Sequence, residues 1–222
     1  MYRNIVKKSV LLFLPLILFS SCGARDFLST LGFDTHDYEG EEILETYGAD
    51  NEKAEALLEM LKILTICSPI LEPFEGAREA MEFYRDSVLN YMLNTDYSKY
   101  TGNITLLDQV QEAYPQIQIA AIIPAEDFEN TVYTYFGGKQ KIKNVTSTLF
   151  VYLEKVGVYT TVTGPQENIV QYNVQKIEET QNTYRVYFNC SLNDETSPMY
   201  KALIIKREDG NAYFRYLEEY EG

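Results

Sequence analysis

The chain has no tryptophan, one histidine and three cysteines in 222 residues. Each scarcity closes off a class of chemistry. A nucleophile system built on imidazole has only His36 to use. That residue stands in Asp34-Thr35-His36-Asp37-Tyr38-Glu39, a stretch without apolar periodicity and unsuited to a preorganised site. The cysteines include no Cys-x-x-Cys pair, which removes the common zinc and dithiol patterns. No glycine-rich phosphate loop is present. Gly137-Gly138 follows a helical pattern instead of joining a strand to a helix, so it reads as a cap. The acidic run does not repair the metal case. Asp34 and Glu45 have the separation of an EF-hand loop, but His36 and Tyr38 fill its third and fifth positions and Gly40 comes one place late. No metal and no cofactor are expected. The apolar run from Val10 to Phe19 is about half of what a bilayer-spanning helix needs, and Pro15 interrupts it.

What is present begins at the N-terminus. Arg3, Lys7 and Lys8 precede that apolar run, and Phe19-Ser20-Ser21-Cys22 follows it. The order of cations, apolar run, small residues and cysteine resembles the signal peptide and lipobox of bacterial lipoproteins, with Phe19 where that family usually carries Leu. The resemblance covers residues 1–22 only. It implies a diacylglycerol on the Cys22 thiol and cleavage just before it, which makes Cys22 the mature N-terminus. Residues 1–21 are then the signal peptide, 22–40 the lipidated cysteine with a flexible tether, and 41–222 one globular domain. Two acyl chains suffice for stable anchoring where one does not. The expected partner is the membrane, through the lipid, and the expected location is its extracytoplasmic face.

The formal charge is −14. Removing residues 1–21 takes away three cations and no anions, leaving about −17. Such a surface repels nucleic acid. It favours cations or basic peptides, or serves solubility alone. The 19 tyrosines stand out beside the missing tryptophan. Tyrosine suits interfaces because a large ring carries a wet hydroxyl. Tyr187 and Tyr213 are the candidate binding surface; the alternative is that tyrosine replaces tryptophan in packing. Cys67 and Cys190 read as buried free thiols, although an exported compartment permits a disulfide.

Along the domain, residues 41–66 have helical spacing, with Leu57, Leu61 and Leu64 on one side. A second helix is predicted from Ala77 to Asn94, a third from Asn103 to Tyr114, a short strand from Gln116 to Ile122, and a helix from Pro124, placed at its first position, to Phe136. Residues 145–157 fit a strand or a short helix, and helix is expected. From Val158 the pattern is β. Tyr184, Val186, Phe188 and Cys190 alternate to one side. Tyr200–Arg207 is apolar on both faces, as a central strand would be. Asp209-Gly210 predicts a hairpin turn with positive φ at both residues.

Helices followed by antiparallel strands give the α+β class, with N-terminal helices packed on the concave face of a curved C-terminal sheet. By element order this is similar to the nuclear transport factor 2-like and cystatin-like folds, a likeness that implies a cone-shaped cavity. The leading functional expectation is a non-catalytic binding or accessory domain for a small molecule, peptide or protein. A cavity enzyme with Glu218 as buried base is the alternative. A transporter's substrate-binding protein would need two lobes and a longer chain.

Overall fold

The computed structural model describes residues 38–138, 142–166, 168–193 and 195–221. The chain divides into two units, Met1–Glu41 and Glu42–Gly222, and the elements below belong to the second. Residues 1–37, with Cys22 and His36, lie outside the described residues.

The fold is mixed α+β, with the helices N-terminal of a large antiparallel sheet. The alternation around Tyr184 becomes β7 (Thr183–Leu192), and its Val186, Phe188 and Cys190 are fully buried. It lies between β6 (Gln171–Glu179) and β9 (Tyr200–Lys206). The doubly apolar β9 is buried on both faces from Tyr200 to Ile205. β10 (Ala212–Glu219) follows it. Register shifts at Val174/Lys176 and Phe214/Tyr216 mark bulges that bend these strands. At the 207–211 turn only Gly210 has positive φ, at 84°. The connection is therefore longer than the expected two-residue turn. Gly210 donates its N–H to Arg207 O at 3.1 Å, and Arg207 donates to Asn211 O at 2.7 Å.

Both edges of this sheet come from the N-terminal half. β1 (Glu45–Tyr47) pairs with β6, and β2 (Phe74–Glu75) pairs with β10. β8 (Glu195–Thr196) adds to β7, which completes seven strands. The helix expected over 41–66 thus starts late. Its first part is β1, and α1 spans Ala54–Thr65 after Asn51 Oδ1 accepts the Lys53 N–H at 2.9 Å. The expected second helix is two, α2 (Gly76–Phe83) and α3 (Arg85–Thr95). Tyr84 breaks them apart with φ −106° and ψ 10°, and its hydroxyl donates to Glu72 O at 2.7 Å.

α4 (Tyr97–Thr101) and α5 (Ile104–Ala113) follow. Asn103 caps α5 by accepting the Leu106 N–H at 3.0 Å. The predicted strand falls later, as β3 (Ala121–Pro124), because Pro124 closes it before α6 (Ala125–Phe136) begins one residue further on. Residues 145–157 do not form the expected helix. They contain β4 (Val151–Leu153), which pairs with β5 (Val158–Thr161). The order of this smaller sheet is β3-β5-β4. The apolar trio Leu149, Leu153 and Val156 imitates helical spacing. The tertiary pairing of β5 with both neighbours wins over that spacing, and Gly157 takes φ 70° at the turn between β4 and β5. Phe74, Phe136 and Phe214 knit α6 to the large sheet, with ring centroids 5.8 Å apart at each step.

Candidate functional site

A cleft of about 690 Å³ opens where α2 meets α3, opposite residues 142–148. Its most informative residue is Arg85, the first residue of α3, which is only 9% exposed. The spacing of Met81, Arg85 and Val88 puts this arginine on the same side as the apolar stripe, which is where the chain turns a cation inward. Nη1 donates to the Tyr159 hydroxyl at 2.8 Å. The guanidinium lies 5.3 Å from the Phe128 ring centroid, in cation–π range.

From Arg85 a chain of hydrogen bonds continues through three further side chains. The Tyr159 hydroxyl donates to Asn144 Oδ1 at 2.9 Å, and Asn144 Nδ2 donates to a Glu129 carboxylate oxygen at 2.7 Å. Burial raises the Tyr159 hydroxyl above the ordinary tyrosine pKa, and the neighbouring Arg85 opposes that rise. The phenol therefore stays protonated, accepting from one neighbour and donating to the other.

Asp86, next along α3, points elsewhere. It accepts from the Ser147 hydroxyl, from Thr148 N at 3.2 Å and from Leu149 N at 3.3 Å. These bonds hold the far wall against the helix. Asp86 makes no ion pair with Arg85, and no other carboxylate lies within 4 Å of that guanidinium among the described residues. On the rim, Arg78 and Lys143 are exposed cations that also lack an ion-pair partner among the described residues.

A second cleft of about 560 Å³ adjoins the first through Phe83, Asp86 and Thr148. Cys67 lines it, half-buried, with Sγ 3.7 Å from Asn90 Nδ2. A third, of about 400 Å³, lies beside Tyr91 and Tyr172. Among the described residues no cluster of His, Cys, Asp and Glu can hold a metal ion, and no helix is long and apolar enough to cross a membrane.

The residues singled out from sequence go to other places. Tyr187 is buried, donates to Glu178 Oε2 at 3.1 Å and stacks edge-on against Tyr220 at 4.8 Å. Tyr213 is half-buried, with the Arg207 guanidinium 4.9 Å from its ring centroid. They lie on β7 and β10, with β9 between them, and neither lines the three clefts. Glu218 is exposed, pairs with Lys201 at 3.3 Å and lines none of the three either. Cys190 is fully buried and Cys67 only partly; both are free thiols.

No protein-family model, no curated protein and no solved structure matches the chain.

Proposed function

We propose that this chain is an exported lipoprotein, anchored through Cys22 at the extracytoplasmic face of a membrane, whose domain is a non-catalytic binding module. Its ligand site is the cleft at the junction of α2 and α3. The observation that carries the binding reading is Arg85. An arginine only 9% exposed stands at an open cleft whose size lies within the usual range for small-molecule sites, roughly 300–1,000 Å³. Buried charge is costly unless it is paired. A chain that retains one here gains from a ligand that pairs with it.

The wall supports binding rather than chemistry. The Ser147 hydroxyl is spent on Asp86, whose carboxylate is in turn committed to two backbone N–H groups. That arrangement fastens a loop; it does not activate a nucleophile. The anchor is supported by the order of residues in 1–22 and gives the module a fixed station.

The test is a titration of the full chain, in detergent, with a panel of small neutral and charged organic molecules, followed by amide chemical shifts. The expected result is a set of shifts centred on Met81–Asp86 and Thr146–Thr148. A panel that moves no amide in these segments would remove the cleft as the site.

A further inference from the structure

We propose that the cleft receives a small-molecule monocarboxylate with an apolar body, its carboxylate held by Arg85. This rests on the reading of the cleft as a ligand site and names the class of ligand.

The geometry of the guanidinium comes first. Nη1 is tied to Tyr159 and the plane is steadied by the Phe128 ring. Nε and Nη2 make no hydrogen bond with any described residue, yet neither is sealed from the surface as Tyr47 Oη is. Those two nitrogens form one edge of the fork, the edge that binds a carboxylate through two parallel N–H···O bonds. Arg85 is thus held at one corner, with the side that a carboxylate fits left without a hydrogen-bond partner among the described residues.

Charge then selects a monoanion. The cleft is lined by three cations, Arg78, Arg85 and Lys143, and two carboxylates, Glu82 and Asp86. The surplus is one positive charge, in a chain of −14 overall. A monocarboxylate neutralises it. A phosphate dianion would leave the cleft negative and bring two charges up to Asp86 and Glu82. The remaining wall argues for an apolar body: Met81 and Ile142 are buried, and Phe83 is an exposed aromatic at the mouth, 48% accessible. A bare inorganic anion would leave these groups unused.

The experiment is isothermal titration calorimetry on the full chain in detergent, with benzoate, hexanoate, benzamide and inorganic phosphate as probes. Benzoate or hexanoate is expected to bind, with benzamide and phosphate at least about tenfold weaker, the scale of one charge-assisted hydrogen-bond pair. Arg85→Gln is expected to remove the preference of benzoate over benzamide. Arg78→Ala with Lys143→Ala alters only exposed side chains. It therefore remains informative if Arg85→Gln fails to fold, and is expected to weaken benzoate severalfold and reduce the salt dependence of binding. Equal binding of benzamide and benzoate would overturn the carboxylate assignment while leaving the cleft a ligand site. Tighter binding of phosphate than of either carboxylate would overturn it as well, as would a rim variant that binds benzoate like the parent chain. If no probe of any charge binds, and the wider panel moves no amide, the proposal falls together with the reading beneath it.

Discussion

Arg85 and Tyr159, 74 residues apart in the chain, are joined by a 2.8 Å hydrogen bond. The bond links α3 to β5 and so ties the helical part of the domain to its smaller sheet. Without it Arg85 would retain only its aromatic neighbour.

Tyr159→Phe tests this link. The ring contacts with Phe128 and Tyr152, both at 5.1 Å, survive the change. The hydroxyl does not, which leaves Arg85 Nη1 and Asn144 Oδ1 without their shared partner. The expected loss is about 1–3 kcal/mol in urea unfolding. A loss below about 0.5 kcal/mol, the usual scale of an inert surface change, would mean that water replaces the hydroxyl without penalty.

Two glycines separate backbone strain from steric clash. Gly137 ends α6 at φ 66°, and a Cβ there would lie 2.5 Å from the Tyr213 ring; at Gly210, φ 84°, nothing lies within 4 Å. Gly210→Ala therefore costs only the left-handed backbone, about 1 kcal/mol. Gly137→Ala adds a displaced tyrosine and is expected to cost at least twice that in thermal or urea unfolding. Equal losses would show that Tyr213 moves aside freely.

Acid should weaken the large sheet through Glu178 and Glu179. Burial alone would raise both carboxyls, but hydrogen bonds from Lys176 and Tyr187 to Glu178, and from Lys206 and Lys53 to Glu179, hold each below the usual glutamate range. A pKa depressed in the folded state gives stability that is complete above the unfolded value, about 4.3, and is lost as pH falls through the folded one. The urea midpoint should therefore drop as pH is lowered below about 4.3. Glu178→Gln should flatten that slope; an unchanged slope would assign the acid sensitivity to other carboxylates.

The thiols should react in order. Burial raises both above the ordinary cysteine pKa, Cys190 to about 12. Cys67 is partly accessible, whereas Cys190 is sealed. An aromatic disulfide reagent at pH 8 is expected to label Cys67 slowly and Cys190 only at the rate of global opening. Rapid labelling of Cys190 would reveal a local opening of β7.

Cys22→Ser is expected to release the domain from the membrane fraction with its unfolding curve unchanged. On the proposed anchor, two acyl chains would supply the attachment, and a −14 chain has little attraction of its own to anionic lipid. Retention of the variant at high salt would instead assign the anchoring to the apolar run of residues 10–19.

Local patterns were readable from sequence where one period dominated. The alternation of Tyr184 to Cys190 has no competing helical reading, and the two apolar faces of Tyr200–Ile205 place β9 in the sheet interior. Residues 145–157 carry both periods at once, and only pairing with β5 decides between them. The break at Tyr84 was hidden because Ala80, Met81, Tyr84 and Val88 keep helical spacing straight through it. The cleft was hidden for a different reason. Arg85 sits on an apolar stripe, which is a signal, but its meaning depends on Phe128, Asn144 and Tyr159, supplied by three distant segments. Tyr187, chosen for its ring, is committed to Glu178, a neighbour that composition alone does not reveal.

The edges of the large sheet carry a consequence for how the chain folds. β1 and β2 lie on opposite borders of a sheet whose interior is made last in the sequence, so Tyr47 waits for Ile177 and Phe74 waits for Leu217. A chain synthesised from its N-terminus exposes α1 to α3 long before the strands that cover them exist. Closing loops of more than a hundred residues before any reward is collected is slow. The domain should fold as one late, cooperative event, and truncation anywhere before β10 should leave an unfolded chain rather than a helical half.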